Sequence, residues 1–305
     1  MKYIFSYLFL LLSTLNFAQI NEQDSIVNVK IFWNKDDVKE YTFTTKEIKK
    51  IQDDLNQEEI SYKVAVKVEE IFGDEKTISW TYNQIKFNSD KFVNNPLSLI
   101  DQITIKYIVD GDGRFLRYLD VDQTIASFIE SSEKFQNDYL DQSEILKQVS
   151  ELVKQYATEE NIVKLFEKDI KQFHLFYGYG EFKPEATKIE FTSYMDNLFS
   201  ASPTPAKTTF KLNEIGISGT NYIMYSFQEA DKEWLANSWF NYLKMLAEKL
   251  ETEQPDASRL QDEITYNVKT SSRISDNGWL AFSKETKKVQ FQDTDYTLER
   301  RIELE

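Results

Sequence analysis

Residues 62–109 show the alternation of apolar and polar side chains that is typical of β-strands. Val64, Val66 and Val68 alternate with Lys63 and Lys67, which predicts a strand with one buried and one solvated face, as in antiparallel sheets. The same alternation predicts further strands at 78–82 and 103–109. Strands therefore account for most of residues 26–120.

Two further apolar runs precede these strands. Alternate positions from Val27 to Trp33 are apolar, and a run of β-branched and aromatic residues extends from Val38 to Thr45. The polar residues 34–37 separate the runs. Two such runs around a polar turn predict a β-hairpin.

After Asp122 the apolar residues recur at helical spacing, through three successive segments that predict three consecutive helices. Asp122 and Thr158 are suited to cap the first and third of them. The apolar face of the third helix comprises Ile162, Leu165, Phe166, Ile170 and Phe173. Asp231 is the predicted cap of a fourth helix, whose apolar stripe runs from Leu235 to Leu250.

Strand patterns also occupy the second half of the chain, at 187–194, 207–212, 222–228, 264–270, 279–290 and 296–304. Successive strands joined by short polar turns favour antiparallel pairing, because parallel strands need a long crossover. We therefore predict an α+β fold: a curved, mainly antiparallel sheet, open or bent into a half-barrel, with four or so helices packed against it. Residues 20–305 are predicted to form one domain, with a subdivision near Pro203 as the alternative.

Residues 1–19 have the composition of a cleavable secretory signal. A basic start at Lys2 precedes an apolar run from Ile4 to Leu12 and a more polar exit that contains Ala18. The run is too short to cross a bilayer, and no later stretch approaches a membrane span. We expect an exported protein that is periplasmic or extracellular.

The composition limits the classes of partner. The sequence has 36 basic and 51 acidic side chains, a net charge of −15; losing Lys2 with the signal leaves 35 against 51, or −16. Such a chain should repel nucleic acids and anionic membranes. It has no cysteine, so it contains no disulfide and carries no lipid on a thiol. The 22 Phe, 17 Tyr and 5 Trp residues are sufficient for a large core.

The sequence contains no catalytic or metal-binding motif that we can recognise. His174, the single histidine, falls at the end of the third predicted helix, where a partly protonated imidazole would interact favourably with the helix dipole. With one histidine and no cysteine, a zinc site would depend mainly on carboxylates. The carboxylates are too numerous to select a catalytic pair. We predict no cofactor and no enzymatic activity.

Asp110-Gly111-Asp112-Gly113 resembles the start of a calcium loop. Counted from Asp110, however, the sixth and twelfth positions are Phe115 and Val121, so the turn glycine and the bidentate glutamate of such a loop are missing. Asp-Gly pairs also suit tight turns. We predict a hairpin turn here, between strands 103–109 and 114–119.

Two aromatic groups are candidate ligand-binding residues. Tyr177 and Tyr179 alternate with Gly178 and Gly180; they could form a binding platform, although the favoured interpretation is that Gly178 ends the third helix and the rings fold back onto the core. Trp234 and Trp239 make the fourth helix aromatic on more than one face. Such a helix is usually buried between layers, but it could line a cavity for an apolar ligand.

Short segments resemble uncharacterised exported proteins of certain Gram-negative bacteria. They are the signal ending Asn16-Phe17-Ala18-Gln19, the strand–turn–strand pattern from Tyr107 to Asp122, and Ser275-Asp276-Asn277-Gly278-Trp279-Leu280 before a strand. The order of sheet and helices is also similar to periplasmic lipoprotein-carrier proteins, in which acyl chains bind between a curved sheet and helices. That similarity is one of fold alone.

Three hypotheses remain from the sequence. The first is a non-enzymatic binding protein that holds a lipid or other apolar small molecule between sheet and helices. The second is a structural or interaction subunit of a cell-envelope assembly, which binds an envelope protein through an edge strand. The third is an enzyme that uses unrecognised carboxylates and tyrosines.

Overall fold

The computed structural model describes residues 20–21, 25–87, 95–184, 187–197, 199, 202–251, 264–291 and 294–305. These residues form an open, curved antiparallel sheet of eleven strands, a small sheet of three strands, and four α-helices. The predicted α+β fold with a curved antiparallel sheet and four helices is thus confirmed. The predicted signal, residues 1–19, lies outside the described residues.

The strands are β1 (Ile20–Asn21), β2 (Ile26–Asn28), β3 (Val38–Ile51), β4 (Asp54–Phe72), β5 (Glu75–Phe87), β6 (Thr104–Val109), β7 (Phe115–Leu119), β8 (Glu181–Phe182), β9 (Lys188–Met195), β10 (Thr204–Ile215), β11 (Asn221–Ala230), β12 (Ile264–Ser275), β13 (Leu280–Phe291) and β14 (Thr294–Leu304). The helices are α1 (Val121–Asn137), α2 (Ser143–Tyr156), α3 (Glu159–Phe173) and α4 (Lys232–Leu250), and a 3₁₀ turn covers Pro96–Leu99.

The large sheet has the strand order β7-β6-β5-β4-β3-β14-β13-β12-β11-β10-β9. Nearly every neighbour in the sheet is also a neighbour in sequence, as expected for strands joined by short turns. The exception is in the middle, where β3 pairs with β14 from Tyr41 opposite Leu304 to Ile51 opposite Thr294. This one pairing joins the strands that precede α1–α3 to those that follow them.

The predicted hairpin of residues 27–45 is wrong. β2 pairs with β1 and β8, whereas β3 pairs with β4 and β14. Val29, Ile31 and Trp33 are buried without belonging to a strand, and Trp33 stacks on Trp279 with ring centroids 4.2 Å apart. The alternation records burial against the core, and burial does not specify a strand partner.

The four predicted helices are confirmed, and so are two of their three predicted caps. Thr158 Oγ1 accepts the Asn161 N–H at 3.3 Å, and Asp231 Oδ1 accepts the Trp234 N–H at 2.8 Å. The prediction for Asp122 is wrong, because α1 begins at Val121 and Asp122 lies within its first turn. In the described part of the chain, no helix has the length and apolar character needed to cross a membrane.

Two apolar cores cover the inner face of the large sheet, which we define as the face on which the helices pack. The main core lies under α1–α3 and includes Trp80, Phe128, Phe166 and Phe173, among others. A smaller core lies under α4 and includes Leu235. Buried polar residues of the same face lie at Ser226, Thr270, Ser272, Ser283 and Arg300. They belong to neither apolar core.

Candidate functional site

A cleft of about 680 Å³ opens between α3 and the inner face of the sheet, and we call it the α3 cleft. α3 forms one wall, β3, β4 and β14 form the floor, and the 3₁₀ turn and the end of α2 contribute to the rim. The lining residues are Thr45, Tyr62, Pro96, Leu97, Gln155, Tyr156, Asn161, Lys164, Leu165, Glu167, Lys168, Asp169, Asp196, Leu298 and Arg300.

Asp169 lies at the bottom of this cleft because of its place in the helix. It follows Leu165 by one turn and precedes Phe173 by one turn, so it belongs to the apolar face of α3 that points at the sheet. Its Oδ2 accepts hydrogen bonds from the Tyr62 hydroxyl at 2.6 Å and the Tyr82 hydroxyl at 2.7 Å. Its Oδ1 accepts from Arg300 Nη2 at 2.5 Å. A buried carboxylate is thereby supplied with a cation and two further donors.

Arg300 reaches Asp169 from β14. It lies on the inner face with its cross-strand partner Glu285, whose Oε1 accepts from Nη1 at 3.4 Å. Burial alone would lower the pKa of Arg300, but the carboxylates of Asp169 and Glu285 hold it above its ordinary value. The guanidinium is therefore charged at every physiological pH.

The two phenols that bind Asp169 are equally fixed in protonation. Burial, together with the nearby Asp169 carboxylate, raises the pKa of both Tyr62 and Tyr82 well above the ordinary value of a tyrosine. They remain donors near neutral pH. A general acid or base needs a pKa near the working pH, so this network is suited to hold the cleft in shape and to present fixed polar groups, and unsuited to move protons.

The remaining carboxylates of the cleft do not form a catalytic pair. Glu167 is bound to Lys171 at 2.5 Å, away from the network. Asp196 is exposed, and it makes no hydrogen bond or ion pair with the described residues. Glycoside hydrolysis requires two carboxyl groups held across the substrate, whereas here Asp169 is already saturated. Among the residues that the structure describes, no three acidic or histidine side chains are grouped so that they could hold a metal ion.

Tyr177 and Tyr179 lie outside the α3 cleft. Tyr177 is buried, and its hydroxyl donates to Gly278 O at 2.8 Å. Tyr179 is 41% exposed, with its ring centroid 4.7 Å from that of Phe210. Both rings thus fold towards the core, but α3 ends at Phe173 and not at Gly178. A ligand-binding role for these tyrosines stays a prediction.

Trp234 and Trp239 lie on α4 and are half-buried. The Trp239 ring packs on Phe199, Tyr242 and Phe291, with centroids 4.7, 5.7 and 4.5 Å away. The four predicted residues therefore form two separate groups, one beside each core, and a ligand role for the tryptophans also stays a prediction. A second cavity, of about 610 Å³, lies near the start of α4 and is bordered by charged residues including Glu190, Lys207 and Glu229.

His174 is neutral, and the predicted partly protonated imidazole is wrong. The side chain is buried beneath the turn between β6 and β7. Its Nδ1–H donates to Gly113 O at 2.8 Å, so Nε2 accepts from the Tyr107 hydroxyl at 2.9 Å. Burial lowers the pKa of His174 to about 4. The sequence placed this residue at a helix end, but it did not reveal the turn that covers it.

The turn at Asp110–Gly113 is a hairpin turn, as predicted. It connects β6 to β7, which pair antiparallel. Asp110 Oδ1 accepts the backbone N–H groups of Asp112 and Arg114, at 3.0 and 2.9 Å, and Asp110 Oδ2 accepts from Arg114 Nε. The carboxylate is used within the turn itself.

None of the residues that line the α3 cleft was predicted to be a site residue. For Asp169 and Arg300 the sequence nevertheless contains a signal. Asp169 interrupts the apolar stripe of α3, and Arg300 interrupts an alternating set that includes Leu298 and Ile302. A charged residue at a position whose neighbours in the pattern are all apolar indicates a buried charge, and buried charges require partners.

No family model matches the chain, and no curated protein matches it either. A solved structure that describes lipid–protein interactions in lipovitellin is similar to this chain, with a TM-score of 0.46 and 11% sequence identity. The similarity covers 89% of this chain and 25% of the lipovitellin chain. The present chain thus spans about a quarter of the length of that protein.

Proposed function

We propose that the protein is an exported, non-enzymatic binding protein that holds an amphiphilic molecule in the α3 cleft. The main support for the proposal is that the cleft is open while the charged groups on its floor already have hydrogen-bond partners. The cleft volume, about 680 Å³, lies in the range of small-molecule sites, about 300–1,000 Å³. The fixed protonation of Tyr62, Tyr82 and Arg300 favours binding over proton-transfer chemistry.

The walls of the cleft explain why the ligand needs an apolar part. Leu97, Leu165 and Leu298 line it and are only partly buried. Covering such side chains with an apolar chain contributes about 25 cal/mol per Å² removed from water. The amides of Gln155 and Asn161 also line the cleft and offer hydrogen bonds to a polar group.

Calorimetric titration of the mature chain with decanol tests the binding role. We expect saturable binding to the wild type and its loss in Leu298→Glu, which places a charge inside the cleft. Leu140→Glu is the matched control, because Leu140 is exposed and lies outside the cleft. If decanol does not bind, or if both variants bind it like the wild type, the α3 cleft is not a site for an apolar chain.

Export has a separate test. Expression in a Gram-negative host, followed by fractionation and amino-terminal sequencing, should yield a periplasmic or secreted chain that begins near residue 20. A cytoplasmic chain that retains Met1 would contradict this part of the proposal.

A second candidate function is that of an interaction subunit. β9 is an edge of the described sheet, and Tyr194 on it is 67% exposed. Edge strands offer unpaired backbone groups to a partner chain. A photo-crosslinking amino acid in place of Tyr194 should capture one envelope protein in producing cells. The same set of products from position 140 would argue against this candidate.

A further inference from the structure

Lys287 lies at the border of the α3 cleft. It is on β13, where its cross-strand partners are Val268 on β12 and Leu298 on β14. Leu298 lines the cleft, and directly paired residues share a face of the sheet. The ammonium of Lys287 lies over the Tyr266 ring, with Nζ 4.8 Å from the ring centroid.

Most cations around the cleft are already bound to carboxylates. Arg300 binds Asp169 and Glu285, Lys164 binds Glu160 at 2.8 Å, and Lys171 binds Glu167. Lys168 and Lys287 differ, because neither makes an ion pair with any residue that the structure describes. One of these two amines is on α3 and the other is on β13.

The surroundings of Lys287 leave its charge incompletely compensated. The side chain is half-buried. Burial lowers its pKa, and the nearby Lys168 and Arg300 act in the same direction, whereas Asp196 and Glu285 act against it without restoring the ordinary value. Glu285 is engaged by Arg300, and Asp196 is exposed to water. An anion bound next to the Lys287 ammonium would compensate its positive charge.

We propose that the amphiphile in the α3 cleft carries an anionic head group, bound between Lys287 and Lys168. The apolar chain of this ligand then runs from Leu298 along the cleft towards Leu165 and Leu97. Carboxylates and phosphates share the chemistry that two ammonium groups recognise, so fatty acids and lipid phosphates are both sources of such a ligand. This inference rests on the proposed function.

The experiment compares ligands that share a ten-carbon chain and differ in the head group. Decanoate and decyl phosphate are titrated against decanol, with the wild type, Lys287→Gln and Lys168→Gln. We expect at least one of the two anions to bind the wild type about tenfold more tightly than decanol, since charge-assisted hydrogen bonds are roughly twice as strong as neutral ones. Each variant should lose most of that preference, measured as the ratio of the affinities for the anion and for decanol in the same variant.

Lys171→Gln is the matched control, because Lys171 is on the same helix and is already paired with Glu167. Equal affinity of the wild type for decanol and for both anions would overturn the anionic head group and leave the binding role intact. Failure of all three ligands to bind would overturn the binding role itself. A loss of preference in Lys171→Gln as large as in Lys287→Gln would also overturn the assignment, since it would indicate a general charge effect. The exposed Lys168 gives a second readout that does not depend on how Lys287→Gln folds.

Discussion

The guanidinium of Arg300 on β14 binds the carboxylate of Asp169 on α3, with Nη2 and Oδ1 2.5 Å apart. Both side chains are buried, and the two residues come from opposite sides of the interface between helix and sheet. The pair therefore fixes the position of α3 above the strand that forms the floor of the cleft. The apolar contacts around it are less directional, because the hydrophobic effect has no preferred geometry.

Replacing Arg300 by methionine should destabilise the protein strongly. The variant leaves the Asp169 carboxylate buried without its cation, which costs about 3–5 kcal/mol in comparable buried pairs. Urea denaturation followed by circular dichroism measures the loss in the free energy of unfolding. The double variant R300M/D169L should recover much of it, because apolar pairs can replace buried ion pairs.

Arg301→Met is the control for this prediction. Arg301 is exposed on the same strand, and its 3.3 Å contact with Glu299 is at the surface. Such a pair contributes at most about 1 kcal/mol. Similar losses for R300M and R301M would show that the buried pair is unimportant for stability.

The neutral His174 should make stability depend on pH below neutrality. Its folded pKa is about 4, below the ordinary value of 6.5. As pH falls below 6.5, the unfolded chain binds a proton that the folded chain excludes. The stabilisation is complete above pH 6.5 and is lost progressively towards pH 4, with about 2 kcal/mol lost at pH 5.

Comparing the wild type with His174→Gln isolates this effect from the titration of the carboxylates. The free energy of unfolding, measured by urea denaturation at pH 7 and pH 5, should fall more steeply in the wild type than in the variant. The difference in slope should amount to about 2 kcal/mol over that interval. Parallel pH profiles would mean that His174 is accessible to protons in the folded state.

Gly113 should not tolerate a side chain. Its φ angle is +95°, and a Cβ atom there would lie 2.7 Å from Ile31 Cγ2 and 3.0 Å from Tyr177 Cδ1. Backbone strain of this kind costs on the order of 1–3 kcal/mol, and the contacts add to it. Gly180 is the control, because its φ is +85° but nothing lies within 4 Å of its Cβ position. Gly113→Ala should therefore lower Tm more than Gly180→Ala, and equal shifts would show that the contacts with Ile31 and Tyr177 relax freely.

The sequence predicts the elements of this fold well and their partners less well. The spacing of apolar residues located α1–α4 and, apart from the two-residue β8, the strands from β3 onwards, because a half-buried element must repeat with its own period. The same reasoning failed for the partners of residues 27–33, because β2 pairs with β1 and β8 and the buried Trp33 stacks on Trp279, and neither pairs with β3. Periodicity reports which side chains avoid water, and it does not identify what covers them.

The candidate site was harder to predict for the same reason. Asp169 and Arg300 are 131 positions apart, and each looks like one of many charged residues until the fold brings them together. Their positions within apolar patterns mark them as buried, but only the pairing of β14 with β3 and the packing of α3 show that they meet. Lys287 was not identifiable either, since its lack of an ion pair with the described residues depends on how the sheet packs.

The pairing of β3 with β14 also has a consequence for how the protein folds. β3–β7 and β9–β14 each consist of strands that pair with their neighbours in the sequence, and most of these strands are joined by short loops, with α4 inserted between β11 and β12. The two groups are joined by the pairing of β3 with β14, in which Ile51 lies opposite Thr294. Pairings between residues so distant in the sequence slow folding, because the conformational entropy of closing a long loop is lost before the contact forms. We therefore expect the middle of the sheet to assemble last, because β3 has to remain unpaired on this side until β14 has been synthesised.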